Sequence, residues 1–174
     1  MHVHFASPEL GALDRLGVEA LSLPMFSDER PLAGVLGLVD WRVCGLLSRL
    51  LGQGRITGEE SEQVLLPGRP KFPIDKVFVF GLGAASELDL ARVRSCIGRM
   101  FAAFAQARVR SAALVLPGRP QGYIDPASAI EALVGATSAL DAHDEVVVLE
   151  LPEAQREMEA VLERERRRAR ARVG

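Results

Sequence analysis

The 174-residue chain predicts an α/β fold. Strand-like and helix-like segments alternate along it, and several of the strand-like ones are apolar without interruption, as strands covered on both faces must be. The helical pattern between two of these strands, 88–107, repeats its apolar residues at helical spacing, so one of its faces seeks a sheet.

The order of elements follows from local chemistry. His2-Val3-His4-Phe5 alternates polar and apolar residues and opens the chain as a short strand, while Ser7-Pro8-Glu9-Leu10 predicts a helix start with serine as the cap. Val18 to Leu23 reads as a strand that Pro24 stops, because proline brings no ladder donor. A helix is expected over 40–51, capped by Asp40. Its apolar face is Val43, Leu46, Leu47, Leu50 and Leu51, its polar side Arg42, Ser48 and Arg49, and Gly52 and Gly54 end it.

Further on, 54–62 is a polar turn and Gln63 to Leu66 a short strand closed by Pro67-Gly68; 71–75 is irregular. Lys76 to Phe80 is the clearest buried strand and ends at Gly81-Leu82-Gly83. The helix over 88–107 carries Leu90, Val93, Ile97, Met100, Phe101 and Phe104 on one face and leads to a strand over Ala112 to Leu116. Asp125-Pro126 opens a helix reaching Leu140, with Ile130, Leu133 and Val134 as its core stripe. Glu145 to Leu151 is the last strand, and Pro152 starts a final helix whose apolar stripe, Met158, Val161 and Leu162, gives out before an arginine run.

Composition narrows the function classes. Hydrophobic residues at 48% and charged residues at 25% exclude a disordered or fibrous chain. A net charge of −2 argues against a generally polyanion-binding surface, although it averages an acidic body with the basic end. The two cysteines, Cys44 and Cys96, sit among apolar neighbours in predicted helices, where thiols serve as small hydrophobes, so no disulfide is expected. The chain opens with no charged and apolar leader and holds no apolar run of about 20 residues, so a cytoplasmic protein with no membrane contact is expected.

The richest stretch is Phe26 to Leu51, FSDERPLAGVLGLVDWRVCGLLSRLL, between a strand and a helix where α/β sheets place ligands. Asp28, Glu29, Arg30 and Asp40 form a candidate acid/base cluster, with the competing reading that Arg30 pairs with a neighbouring carboxylate and braces the loop. Gly34 and Gly37 suit positive φ or close backbone approach. Arg42 is expected to bind Asp28 or Asp40, and the Trp41 ring to cover the edge of the core. Gly81 and Gly83 offer amides that could cradle a phosphate, but their spacing is shorter than a dinucleotide fingerprint, so a tight turn is the competing reading.

No metal site is expected: His2 and His4 lack a third ligand at supporting spacing, and His143 lies between Asp141 and Asp144 in a polar turn. No order of Ser, Cys, His and Asp gives a nucleophile. Arg164, Arg166, Arg167, Arg168, Arg170 and Arg172 could release counterions from nucleic acid. The interleaved Glu157, Glu159, Glu163 and Glu165 favour a solvated helix end instead.

The segment quoted above, followed by GRITGEESEQVLLPGRPKFPIDKVFVFGLG, resembles the N-terminal domain of the leucine aminopeptidase family of metallopeptidases. The resemblance implies a macro-domain-like, three-layer α/β/α fold around a mixed, mostly parallel sheet. It places the family's two-metal site in a separate C-terminal domain whose Asn-Thr-Asp-Ala-Glu-Gly-Arg segment does not occur here. It implies a macro-like unit over 1–151 and, over 152–174, a helix similar to the one that joins the two domains. The function expected is non-catalytic and without cofactor: association with itself or with a separate aminopeptidase catalytic subunit. The alternatives are an ADP-ribose-type ligand held by the 28–37 loop and the 81–83 turn, or nucleic acid held by the arginine end.

Overall fold

A computed structural model describes residues 2–137 and 145–173. Among the described residues the chain runs through β1 (His2–Ala6), α1 (Leu10–Leu13), β2 (Ala20–Met25), α2 (Gly34–Arg42), α3 (Leu46–Gly52), β3 (Gln63–Pro67), β4 (Lys76–Gly81), α4 (Leu90–Gln106), β5 (Ser111–Leu114), α5 (Pro126–Thr137), β6 (Glu145–Leu149) and α6 (Pro152–Val173). The expected helix end at Leu140 and the turn around His143 lie outside the described residues.

The strands form one sheet in the order β1-β6-β5-β2-β4-β3, parallel throughout except for β3, which pairs antiparallel with β4 at the edge. Right-handed crossovers then fix the layers. The steps β1 to β2 and β2 to β4 move one way along the sheet and leave α1, α2 and α3 on one face; β4 to β5 and β5 to β6 move the other way and leave α4 and α5 on the opposite face. Side chains alternate accordingly: Leu21, Leu23, Val77, Val79, Ala113 and Val147 pack under α2 and α3, while Phe78, Phe80, Ala112, Leu114, Val146 and Val148 pack under α4, α5 and α6. The result is the three-layer arrangement with a mostly parallel mixed sheet.

On the α4 face, small residues of β2 and β5, Ala20 and Ala112, leave room for an aromatic group. Phe104 meets Phe78 and Phe101 edge to face, each at 5.7 Å. Asp89 caps α4 by accepting from the Arg92 amide at 2.7 Å, and Asp125 caps α5 through the Ser128 amide, a bond that holds its carboxyl below the ordinary range. Cys96 is buried within α4, and burial pushes its thiol up to about 12; Cys44 is exposed, and both are free.

Several local expectations change. Ser7 is not a cap: α1 starts at Leu10 with Glu9 in the cap position. Pro24 does not stop β2, which continues to Met25. The Val115 amide donates to Ser22 O, on the β5 side, and the Leu82 amide donates to Met25 O, on the β4 side. Alternation therefore turns the Pro24 nitrogen toward β5, past the last ladder pair of Ser22 with Leu114, where no donor is needed. The single helix expected over 40–51 is two helices, because Cys44 and Gly45 take φ of 58° and 71° and turn the chain between α2 and α3.

Phe104→Ala removes the centre of the aromatic group and is expected to lower stability by about 3–5 kcal/mol, read as a drop in the urea midpoint followed by far-ultraviolet circular dichroism.

Candidate functional site

The chain builds β3 and β4 on one side of β2 and then crosses to the other side for β5, so the carboxyl ends of β2 and β5 form the switch point at which open α/β sheets hold ligands. The segments 26–33 and 115–124 leave the sheet there.

Here the structure brings together Asp28, Glu29, Arg30 and Gly34 with the 81–83 turn, and every polar group in the set is turned to internal bonding. The Asp28 carboxylate accepts from the Ala85 amide at 3.1 and 3.2 Å. Glu29 accepts both contacts of the Gln121 side-chain amide, at 3.0 and 3.1 Å. Arg30 does not pair with a carboxylate as expected; its guanidinium donates to the carbonyls of Phe26, Glu29 and Thr57 at 3.4, 2.7 and 3.2 Å and so staples the loop to the 57–62 turn. Gly34 has φ of 55° at the start of α2.

The 81–83 turn offers no free amide row. Gly81 N donates to Glu62 O, Leu82 N to Met25 O and Gly83 N to Gly58 O, all at 2.8–2.9 Å. A Cβ on Gly81 would stand 1.9 Å from Glu59 O, so glycine here answers a close approach of two backbones. Glu62 locks the same turn by accepting from the Thr57 and Gly58 amides. The tight-turn reading therefore describes the observed bonding.

The crevice itself is filled. Leu23, Pro24 and Phe26 from one side meet Pro120 and Gln121 from the other, leaving a space of about 10 Å³, at the lower limit for one water molecule. Tyr123 lays its ring edge to face against Phe26 at 5.8 Å. The 117–124 loop that supplies these residues is fixed by a pair the sequence gave no sign of. Arg119 Nε lies 2.7 Å from Glu150 Oε2, the glutamate buried and the arginine nearly so, and Arg119 Nη1 donates to Ile124 O at 2.6 Å. Pro117-Gly118 reads in sequence only as a strand stop, and partners 31 residues apart leave no local pattern.

Asp40 and Arg42 lie at the far end of α2, away from this cluster. Asp40 caps no helix of its own; its buried carboxylate accepts from the amides of Leu47 and Ser48 at 2.8 and 3.1 Å and from the Ser48 hydroxyl, closing the orphan amides of α3 across the turn. Arg42 pairs neither with Asp28 nor with Asp40 but with Asp14, using Nε and Nη2. Gly37 is helical, and a Cβ there would meet Leu32 O at 2.7 Å.

Trp41 does not cover the core. The residue is 66% exposed, with the Arg42 guanidinium over its ring at 5.7 Å, on an open depression of 630 Å³ lined also by Gly37, Cys44 and Gly45. Among the arginines of α6, Arg164 reaches Glu131, Arg167 reaches Glu163 and Arg168 reaches Glu165, while Arg166 lines a groove described below. Arg170 and Arg172 belong to α6, but their side chains are outside the described set. Among the described residues no three His, Cys, Asp or Glu are grouped as a metal would need, and no helix is long and apolar enough to cross a membrane.

A family model described as "Cytosol aminopeptidase family, N-terminal domain" matches residues 23–145. A probable cytosol aminopeptidase of Thermosynechococcus vestitus is 28% identical over 92 residues, covering 53% of this chain and 18% of that protein. The chain thus spans about a fifth of that relative's length. Among solved structures, a tomato leucine aminopeptidase mutant aligns with a TM-score of 0.65 at 17% identity over 92% of this chain and 35% of that one. A Trypanosoma brucei macrodomain in complex with ADP-ribose aligns with a TM-score of 0.71 at 16% identity over 92% of this chain and 69% of that one. At these identities the two structures share the fold with this chain.

Asp40→Ala opens three donors of α3 at once and is expected to cost about 2 kcal/mol. Asp40→Asn, whose amide oxygen still accepts, should recover part of it, and urea unfolding of the two variants side by side checks the order.

Proposed function

Because the chain belongs to the cytosol aminopeptidase family through its N-terminal domain, we propose that these residues act by protein association, with an aminopeptidase chain of the family as partner, and without chemistry of their own. The observation that carries this reading is Trp41. Tryptophan and arginine are among the residue types enriched in the few that dominate binding energy at protein interfaces, and here the two stand together, guanidinium over ring, on a corner in open solvent. The corner is stiff because the Asp40 carboxylate ties α2 to α3 and Asp14 fixes the Arg42 guanidinium.

The state of the switch point supports the same reading. Asp28, Glu29 and Arg30 bond to the protein itself, the amides of 81–83 are taken, and the crevice is closed by Pro120 and Gln121. The crevice between these loops leaves room for about one water molecule, and the Arg119–Glu150 pair holds the 117–124 loop over it. The glutamate partners of Arg164, Arg167 and Arg168 likewise weigh against a polyanion as the main ligand.

Immobilised protein is expected to retain an aminopeptidase chain from nuclease-treated native lysate, identified by mass spectrometry, and Trp41→Ala to lose most of it while unfolding at the same urea concentration. Equal retention by the variant would sink the assignment to this corner. Calorimetric titration with ADP-ribose is expected to give no heat of binding; a saturable isotherm would move the function to the switch point.

A further inference from the structure

The opposite face of the sheet carries a second surface with no role in the reading above. β1 is an edge strand, bonded to β6 alone. The Glu150 amide donates to Ala6 O at 3.0 Å, so Ala6, and by alternation His4 and His2, turn their backbone groups toward β6. Val3 and Phe5 therefore turn their amides and carbonyls outward along the free edge. The side chains of both pack toward the core under α6.

Beside this edge runs a groove of 430 Å³ between β1 and α6, lined by Val3, His4 and Phe5 and by Gln155, Glu159, Leu162, Glu163 and Arg166. The five α6 residues share one helical stripe, four, three, one and three positions apart in turn. Within that stripe Glu159 and Arg166 stand seven residues, or about 10 Å, apart along the helix, too far to pair with each other. Glu163 is already engaged by Arg167 of its own helix.

We propose that this face is the contact between two copies of the chain, joined edge to edge through β1 about a two-fold axis. The stripe is self-complementary in that arrangement. An axis passing between Leu162 and Glu163 runs the two α6 helices antiparallel and sets Glu159 of each copy against Arg166 of the other, with Leu162 of both at the centre beside Glu163, whose charge Arg167 of its own helix meets. The matching axis through His4 sets Val3 of one copy opposite Phe5 of the second, and these are the residues whose backbone groups turn outward. Each such pair exchanges both of its N–H···O bonds, as directly opposed residues in an antiparallel ladder do. β1 and α6 line one groove, so the proposal gives strand and helix a single axis, and a contact on which each patch meets itself is the closed, isologous kind. It extends one six-stranded sheet into another and leaves the Trp41 corner, on the other layer, uncovered.

Sedimentation velocity at tens of micromolar is expected to find the unmodified chain as a dimer. E159R and R166E should each weaken the dimer roughly tenfold or more by setting like charges face to face, and E159R/R166E together should restore it. That rescue has no intrachain explanation, given the spacing of the two positions. Phe5→Pro, which deletes an outward amide and leaves the β6 ladder intact, should also give monomer, with circular dichroism reporting a folded chain. A monomeric parent, or single charge variants that dimerise as the parent does, would overturn the proposal and leave the edge to a strand of a different protein. Retention of an aminopeptidase by the Trp41 corner is read separately, so either assignment can fail without the other.

Discussion

Beyond Ser22 and Leu114 the two central strands part company. Pro24 stands at that point with no amide to offer β5, so the ladder cannot close and the sheet opens at its carboxyl edge. In an open α/β sheet such a gap must hold a ligand or be filled. Here it is filled from both sides: Phe26 and Glu29 arrive from the segment after β2, Pro120, Gln121 and Tyr123 from the segment after β5. The largely buried Arg119–Glu150 pair then ties the second segment to the end of β6. A pair of this kind adds little net stability over an apolar equivalent, yet removing either partner strands a charge, so it fixes position more than it adds energy.

The same loop geometry gives the charged residues of this cluster bonds within the protein. Asp28 holds the start of the 85–87 turn, Arg30 gathers three carbonyls and Glu62 two amides. These charges sit at a site of backbone polar groups that secondary structure leaves unpaired; Asp28 satisfies one of them, Glu62 two and Arg30 three. The chemistry visible in the sequence was that of charges able to bind; the structure gives them bonds to the protein's own turns.

Much of the fold was legible because it rests on local pattern. Lys76 to Phe80 announces a strand covered on both faces, and Val93, Ile97, Met100 and Phe104 announce the helix that covers it. Boundaries failed where a single residue had two meanings. Pro24 reads as a stop but stands where its missing donor is harmless, and Asp40 reads as the cap of the helix that follows it although it ends one helix and caps the next through its side chain. The split between α2 and α3 turns on Cys44 adopting a positive φ, which its type does not foretell. At the site, glycines 34, 37, 81 and 83 were found by type, but their reasons differ, and only Gly34 and Gly83 have positive φ. The pairs Arg42–Asp14, Gln121–Glu29 and Arg119–Glu150 span 28, 92 and 31 positions, distances over which a single sequence carries no pairing signal.

Trp41 is the only tryptophan in the chain, and it is solvated in the folded state. Its emission therefore starts near that of indole in water, and unfolding, which ordinarily moves a buried tryptophan into water, has little left to change. The chain is nearly silent to the usual optical readout of folding and is instead labelled by its own sequence at one surface point, where desolvation by any arriving partner shifts the emission to shorter wavelength against a flat background.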